Sequence, residues 1–459
     1  MNELSSKQSP AWAAGLLSAI VWGAGQGWNR QYLKGLLFLL IGAGAAAAEL
    51  ATGSYTRDSL ADGFRFRENG GFFLKGIWGL ITLGTQPRKM GLTGLTAGDH
   101  SIVLMANGII ALLFLLLLAL FYIWNIRDAV TTRRQYCETG IRESSLQHFK
   151  RLWDTMYAYI VLSPTAVLTL FVSVLPIVFG VLIAFTDYSR NNSPPTKLVH
   201  WVGFDNFATV TQVFSWMHTF LGVLLWTFVW AILATVTTYL FGFFQAVLLN
   251  NSAVKFKKLW RSIYILPWAV PAMISALVFK SMFNGQFGPV SQFLLDIGLT
   301  SERIYWFTDP GNTNLARGMA LLINLWLGFP YFMALIGGTL TTISESYYEA
   351  ARMDGATSGQ TFWNITFPIV YKATAPLLML SFVSNFNNFG VIYFLTEGGP
   401  ANPDYNFAGS TDLLITWLYK LTLDNRLYSM GAVMSIIVFL IVASFSLINL
   451  RKSKTFEEL

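Results

Sequence analysis

Long apolar runs alternate with short polar segments along the whole chain. A membrane-crossing helix needs about 20 mostly apolar residues, and eight runs approach or exceed that length. They lie near Leu33 to Leu50, Ile102 to Trp124, Tyr157 to Phe185, Phe220 to Leu249, Ser262 to Phe283, Leu315 to Leu340, Ala373 to Leu395 and Tyr428 to Leu450. Two further stretches are ambiguous. Ala11 to Trp28 is apolar but short and Gly-rich, and its basic residues follow it, unlike those of a cleaved signal peptide. Phe72 to Gly84 is shorter still and suits an interfacial or re-entrant segment. The pattern predicts an all-α polytopic membrane protein. It divides into N-terminal membrane segments (1–125), a basic linker (126–155), a six-span core (156–451) and a short tail (452–459).

Composition strengthens this class. Of 459 residues, 54% are hydrophobic and 12% charged, against about 25% charged in soluble domains. The net charge of +7 speaks for orientation rather than for nucleic acid, because the basic residues flank apolar runs. Cytoplasmic loops carry an excess of Lys and Arg. Arg127, Arg133, Arg134, Arg142, Lys150 and Arg151 fall between Ile126 and Asp154; Lys255, Lys257, Lys258 and Arg261 follow the fourth span; Arg451, Lys452 and Lys454 lie in the tail region. One alternation puts all three groups in the cytoplasm, together with the C-terminus and the segment Tyr347 to Pro368. Tyr188 to His218, Asn284 to Asn314 and Thr396 to Leu427 are then outside. Cys137 is the one cysteine, so the chain forms no internal disulfide.

The inner segment "YYEAARMDGATSGQTFWNITFP" interrupts the apolar half with charge and glycine. Ser346 with Glu349 three residues on spells a capping box. Glu349, Ala350, Ala351 and Arg352 favour helix. Gly355 sits where helices stop on a left-handed residue. A second short helix follows over Thr357 to Asn364, with Pro368 marking a break. Helices of two or three turns are marginal alone in water, so this chain's own helix ends or a partner must hold them. From these features alone, a plain connector explains the loop as well as a docking element does.

Glu349, Ala350, Ala351, Gly355, Ile365 and Pro368 are spaced as in the signature loop of ABC-importer permeases, which this stretch resembles. Phe367 stands where that family usually has Leu. The resemblance implies that these residues, with Asp354, couple the membrane helices to a cytoplasmic ATPase. "ILPWAVPAMISALVFKSMFN", "NLWLGFPYFM", "SNFNNFGVIYFLTEGGP" and "AGSTDLLITWLYKL" are similar to the larger permease subunit of maltose/maltodextrin importers. This implies a six-helix ABC-importer permease core, here preceded by about two extra N-terminal spanning helices. It also implies a bacterial cell membrane, a second permease subunit, two ATPase subunits that bind ATP and Mg2+, and an extracytoplasmic sugar-binding protein. The implied cargo is an oligosaccharide, maltodextrin first and galacto-oligosaccharides as the alternative.

Polar groups within the spans are the other candidates. Ser381, Asn385 and Asn388 share a helix face at i, i+4, i+7; Asn324, Gly328 and Tyr331 do so on another span, with Leu327 adjoining. Amides and hydroxyls both donate and accept, which suits a neutral, hydroxyl-rich ligand. They equally serve as glue between helices. The resemblance assigns Leu327, Gly328, Tyr331, Ser381, Asn385 and Asn388 to sugar contact. Ser384 stands where the enterobacterial maltose permease has Phe, so ring stacking is lost there. Pro267, Pro271 and Pro330 are expected to interrupt helices within the membrane. Tyr188 to His218 is too short for the folded domain that the enterobacterial protein inserts there.

No GxxxxGK[ST] occurs, so the chain has no P-loop. No cofactor of its own is expected, ATP hydrolysis belongs to a partner, and the chain is not expected to be an enzyme. His100, His148, His200 and His218 form no metal-ligand spacing. A stand-alone secondary transporter would want an acidic residue deep in a span. A membrane enzyme would want Asp, Glu or His clustered near one face. Neither pattern is evident. The hairpin-like entry "GAGQGWNRQYLKGLLFLL" receives no role from the sequence.

Overall fold

The computed structural model describes residues 10–56, 63–91, 94–95, 97–251 and 253–452, with side chains near the C-terminal end described to Ser444. The expected tail lies outside these residues beyond its first position. The chain forms two compact units, Met1–Asn206 and Phe207–Leu459. Among the described residues, six helices are long and apolar enough to cross a membrane, seven if one bent pair counts as a span.

The first unit contains α1 (Ala11–Ile20), α2 (Ala24–Trp28), α3 (Tyr32–Thr52), α4 (Phe72–Thr82) and α5 (Ser101–Thr139). It ends in a long helix built from α6 (Ser145–Thr169), a π turn (Leu170–Val174) and α7 (Leu175–Ile183). α3, α5 and the α6–α7 helix are membrane-length. The ambiguous stretches become α1 and α4, of 10 and 11 residues, about half a span each. Both lie along α5 through small residues. A Cβ on Gly15 would meet Val130 at 2.5 Å, and one on Gly76 would meet Ala111 at 2.6 Å. Residues 126–155, expected as a linker, are occupied by the ends of α5 and α6. Gly140 turns the chain between them at φ +72, and a Ser144–Gln147 capping box starts α6.

The second unit contains α8 (Phe214–Asn250), α9 (Lys257–Ala269), α10 (Ala272–Met282), α11 (Thr313–Thr342), α12 (Glu345–Met353) and α13 (Ser358–Thr361). These are followed by α14 (Phe367–Phe386), α15 (Phe389–Thr396), α16 (Leu414–Tyr419) and α17 (Tyr428–Lys452). α8 and α11 are its axis. Trp230, Ile323, Leu327 and Ile392 pack at one level, and Phe243, Phe332, Ile336 and Val370 at another. The two helices approach closely because Gly242 has no side chain; a Cβ there would meet Phe332 Cβ at 2.7 Å.

Of the three prolines expected to interrupt helices, one does so. The run Ser262 to Phe283 is broken, and α9 and α10 meet at 87°. The break falls at Val270–Pro271, where Val270 is extended at φ −90, ψ 133, the conformation a following proline favours. Pro267 and Pro330 do not interrupt their helices; they lie inside α9 and α11.

Candidate functional site

The amide positions converge where α14 stops. Asn387 leaves helical geometry, and α15 restarts after Asn388. Asn388 caps α15, its Oδ1 accepting the Val391 N–H at 3.2 Å. Its Nδ2 donates to Asn324 Oδ1 on α11 at 3.0 Å. Asn385 Nδ2 donates to Thr235 Oγ1 on α8 at 3.1 Å and to Ser381 Oγ at 3.4 Å. Trp230 Nε1, also on α8, donates to the Asn385 carbonyl at 3.1 Å. Ser381 and Asn385 thus share a face as expected. Asn388 does not, because the break carries it onto the next helix. Asn385 Oδ1 accepts no hydrogen bond among the described residues. Thr235 and Trp230 complete this cluster; their signal was a polar residue and an indole inside an apolar run.

The three positions on α11 are set differently. Leu327 is 8% exposed and packs into the core beside Trp230. Gly328 stands against α8, where a Cβ would meet Thr238 Cγ2 at 2.8 Å. The Tyr331 ring lies 6.1 Å from that of Trp268 and 5.1 Å from that of Phe332. The Asn324–Asn388 bond joins this helix to the amide cluster.

The segment Tyr347 to Pro368 has its own geometry. Ser344, not Ser346, caps α12, its Oγ accepting the Ser346 N–H at 3.4 Å. The expected Ser346–Glu349 capping box is therefore not formed, and Glu349 is an exposed mid-helix residue. Arg352 pairs with Glu345 at 2.7 Å. The helix ends as expected on Gly355, at φ +75. Ala356 N–H donates to the Ala351 carbonyl at 2.9 Å and Gly355 N–H to that of Arg352 at 3.1 Å, the bond pair of a left-handed glycine stop.

Thr357 and Gln360 then form a capping box. α13 runs through a π turn, Phe362–Thr366, straight into α14. Pro368 accordingly does not break the chain before the span. The π turn widens the helix just ahead of it, where its ring would otherwise crowd the carbonyl four residues back. Tyr348 Oη lies 3.2 Å from Thr366 Oγ1 and ties α12 to this turn. Ala351 is buried, Ile365 and Pro368 are half-buried, and Glu349, Ala350, Asp354 and Gly355 are exposed. Tyr347, Met353 and Trp363 are 57%, 88% and 63% exposed, leaving an apolar surface with acidic groups beside it.

Two further polar sites were not legible in advance. In the first unit, Asp128 of α5 is buried with Lys34 Nζ at 2.7 Å and His148 Nε2 at 3.4 Å. Gln26 Nε2 donates to it at 3.0 Å, and Gln26 Oε1 accepts from Ser18 Oγ at 2.9 Å. His148 Nδ1 lies 3.1 Å from Glu143, which pairs with Arg151 at 3.0 Å. The "GAGQGWNRQYLKG" hairpin is thereby fastened to α5 and α6. In the second unit, Asp412 pins the loop before α16. It accepts from Gly409 N–H at 2.7 Å, Thr416 Oγ1 at 2.8 Å and Lys420 Nζ at 2.7 Å. Burial pushes its carboxyl above the ordinary range, against the pull of Lys420.

A family model described as "binding-protein-dependent transport system inner membrane component" matches residues 238–453. The chain is 36% identical over 444 residues to a galactooligosaccharides transport system permease protein of Bacillus subtilis, covering 96% of this chain and 98% of that one. It is 35% identical over 450 residues to a maltodextrin transport system permease protein of the same organism, covering 96% of each. A maltodextrin transport system permease protein of Streptococcus pneumoniae is 34% identical over 460 residues, covering 98% of each. Among solved structures, a bacterial ABC transporter involved in the import of alginate superposes with a TM-score of 0.52 at 22% identity, covering 67% of this chain and 99% of that chain. That likeness is one of fold.

Proposed function

Since the chain belongs to the inner-membrane permease family of binding-protein-dependent transport systems, we propose that it forms half of the sugar path of an ATP-driven oligosaccharide importer, with maltodextrin as the cargo. The observation that carries this reading is the identity of 34–36% to maltodextrin and galactooligosaccharide permeases over nearly the whole chain. The chain is a multi-pass membrane protein, and as a permease it carries transport rather than hydrolysis. The amide cluster supports a neutral cargo, because its hydrogen bonds run among amides, hydroxyls and an indole. In this reading Ser381, Asn385 and Asn388 meet sugar hydroxyls, and Leu327, Gly328 and Tyr331 belong to the facing wall.

Glu349, Ala350, Ala351, Asp354, Gly355, Ile365 and Pro368 form the seat for a separate ATPase, whose two copies hold ATP and Mg2+. The exposed apolar surface of α12 and the adjoining turn supports that seat. A second permease subunit is supported by the α6–α7 helix, where only 6% of the most apolar window is buried. An extracytoplasmic sugar-binding protein delivers cargo to loops such as Thr396 to Leu427. The basic loops and the C-terminus face the cytoplasm of a bacterial cell. ATPase closure pushes α12, the path opens outward to take sugar, and hydrolysis resets it.

Uptake of labelled maltotriose, in cells carrying this chain or its Gly355→Glu form with the native operon otherwise intact, tests the reading. Uptake lost only in the variant supports both cargo and coupling. Uptake of galacto-oligosaccharide but not maltotriose moves the cargo to the second reading, which the relative at 36% identity favours. Equal uptake by both forms overturns the coupling role.

A further inference from the structure

α8 gives Thr235 to the amide cluster and a different face to an open groove. Leu225, Val229 and Leu233 recur on that face at i, i+4 and i+8, and the groove between α8 and α11 has a volume of about 480 Å3. Its ends differ in polarity. Arg317, Asn314 and Tyr405 line one end; Val229, Leu233 and Leu321 line the wall that runs away from it. From Leu225 to Leu233 the wall rises about 12 Å along the helix. Gly318 leaves the floor open, since a Cβ there would meet nothing within 4 Å.

Arg317 sits at the start of the second turn of a membrane-length helix. Its guanidinium lies 4.3 Å over the Trp226 ring, and its Nε donates to the Ser410 carbonyl at 2.9 Å. Its two terminal amino groups have no hydrogen bond and no carboxylate at ion-pair distance among the described residues. A half-buried guanidinium held in place by stacking presents donors that match phosphate oxygens. Leu225 and Leu233 beside it are 67% and 41% exposed, as suits contact with hydrocarbon. Charge at one end and apolar surface along the rest describe the complement of a lipid.

We propose that this groove holds an anionic phospholipid, its phosphate on Arg317 and one acyl chain along Leu225, Val229 and Leu233. The importer reading enters only through the choice of sample, the intact transporter. Native mass spectrometry of that transporter, stripped in neutral detergent and titrated with phosphatidylglycerol, diacylglycerol or inorganic phosphate, reads the binding. One phosphatidylglycerol per permease is expected to persist. Diacylglycerol and inorganic phosphate are expected to bind at least tenfold more weakly. Arg317→Gln is expected to reduce phosphatidylglycerol retention at least tenfold.

Gly318→Leu is expected to do the same while leaving Arg317 and its bond to Ser410 in place, so its loss is not a loosened loop. Equal retention by the wild type and both variants overturns the proposal. So does phosphate binding as tightly as lipid, or a helix of a partner subunit seated in the groove in a structure of the whole transporter. Retention of the ATPase in the same spectra reports on the importer reading separately.

Discussion

Asn388 Nδ2 lies 3.0 Å from Asn324 Oδ1, so one amide pair holds α11 to the point where α14 gives way to α15. Asn324 is only 5% exposed, and Asn388 also caps α15. A single side chain thus closes a helix end and fastens a neighbouring span.

Asn388→Ala is expected to leave Asn324 Oδ1 and the Val391 N–H without partners, at a cost of about 1–3 kcal/mol. Asn324→Ala removes the same bond from the other side. In thermal unfolding of the purified transporter the two changes are expected to be non-additive by about 0.5–3 kcal/mol. Strict additivity would mean that the pair does not act as a unit.

Asn385→Ala should spare assembly and weaken sugar handling. The bond from Trp230 Nε1 goes to the backbone carbonyl of Asn385 and survives the change. Maltotriose uptake is expected to fall while the ATPase still co-purifies. Loss of the ATPase from this variant would remove Asn385 from the cargo path.

Gly355 tests the stretch between α12 and α13 by backbone conformation alone. A Cβ there would meet nothing within 4 Å, so Gly355→Ala is expected to cost about 1–2 kcal/mol through the left-handed φ and nothing through crowding. Gly355→Glu adds bulk and charge to the surface proposed to seat the ATPase. It is expected to abolish uptake and leave membrane insertion intact; normal uptake by a stably inserted variant would count against the seat.

Acid should loosen one loop of the first unit. Asp99 is buried, which pushes its carboxyl up, but N–H bonds from Thr85 and Gln86 and the bonds from Arg67 outweigh that and hold it below the ordinary range. Those bonds measure 2.9, 3.0 and 3.0 Å. A carboxyl depressed on folding stabilises above its unfolded value, about 3.9, and that contribution is lost as pH falls through the lower folded value. Hydrogen exchange at residues 84–88 is expected to rise in that acid window in the wild type. Asp99→Asn should show no such step when compared at each pH, and an identical step in both would point to another group.

Asp128→Ala should be among the costliest changes in the first unit. It strands the Lys34 ammonium in a site where both side chains are about 5% exposed or less, a loss of about 3–5 kcal/mol. The double variant Lys34→Met/Asp128→Leu is expected to recover much of the loss. Equal yields and melting temperatures for wild type and Asp128→Ala would show that the hairpin is not fastened there.

The spans were legible because α8 and α11 must be mostly apolar to lie in a membrane beside other helices, and that leaves runs no soluble helix needs. The Gly355 stop was legible for a local reason too, since few residues accept its φ. The features that escaped depend on contacts distant in sequence. Ser346 satisfies the spacing rule for a cap, but α11 ends at Thr342 and Ile343 is extended, so the next helix begins at once and takes Ser344. Ser381, Asn385 and Asn388 have helical spacing, yet Asn388 finds Asn324 on another helix and ends the run. Gln26, Lys34 and Asp128 are ordinary letters until the hairpin folds against α5. The 87° turn at Val270 was signalled by Pro271 but not in size.

From Ser358 to Phe386 every residue is helical, across the π turn and past Pro368 and Pro376. At 1.5 Å per residue this is a rod of about 40 Å. Its foot stands next to Gly355 and its head carries Ser381 and Asn385. With helical structure unbroken between foot and head, tilt given to the foot would arrive at the head as sideways travel. The first compliant point is Asn387, so any stroke delivered from below is spent on the very amides that tie α14 and α15 to α8 and α11.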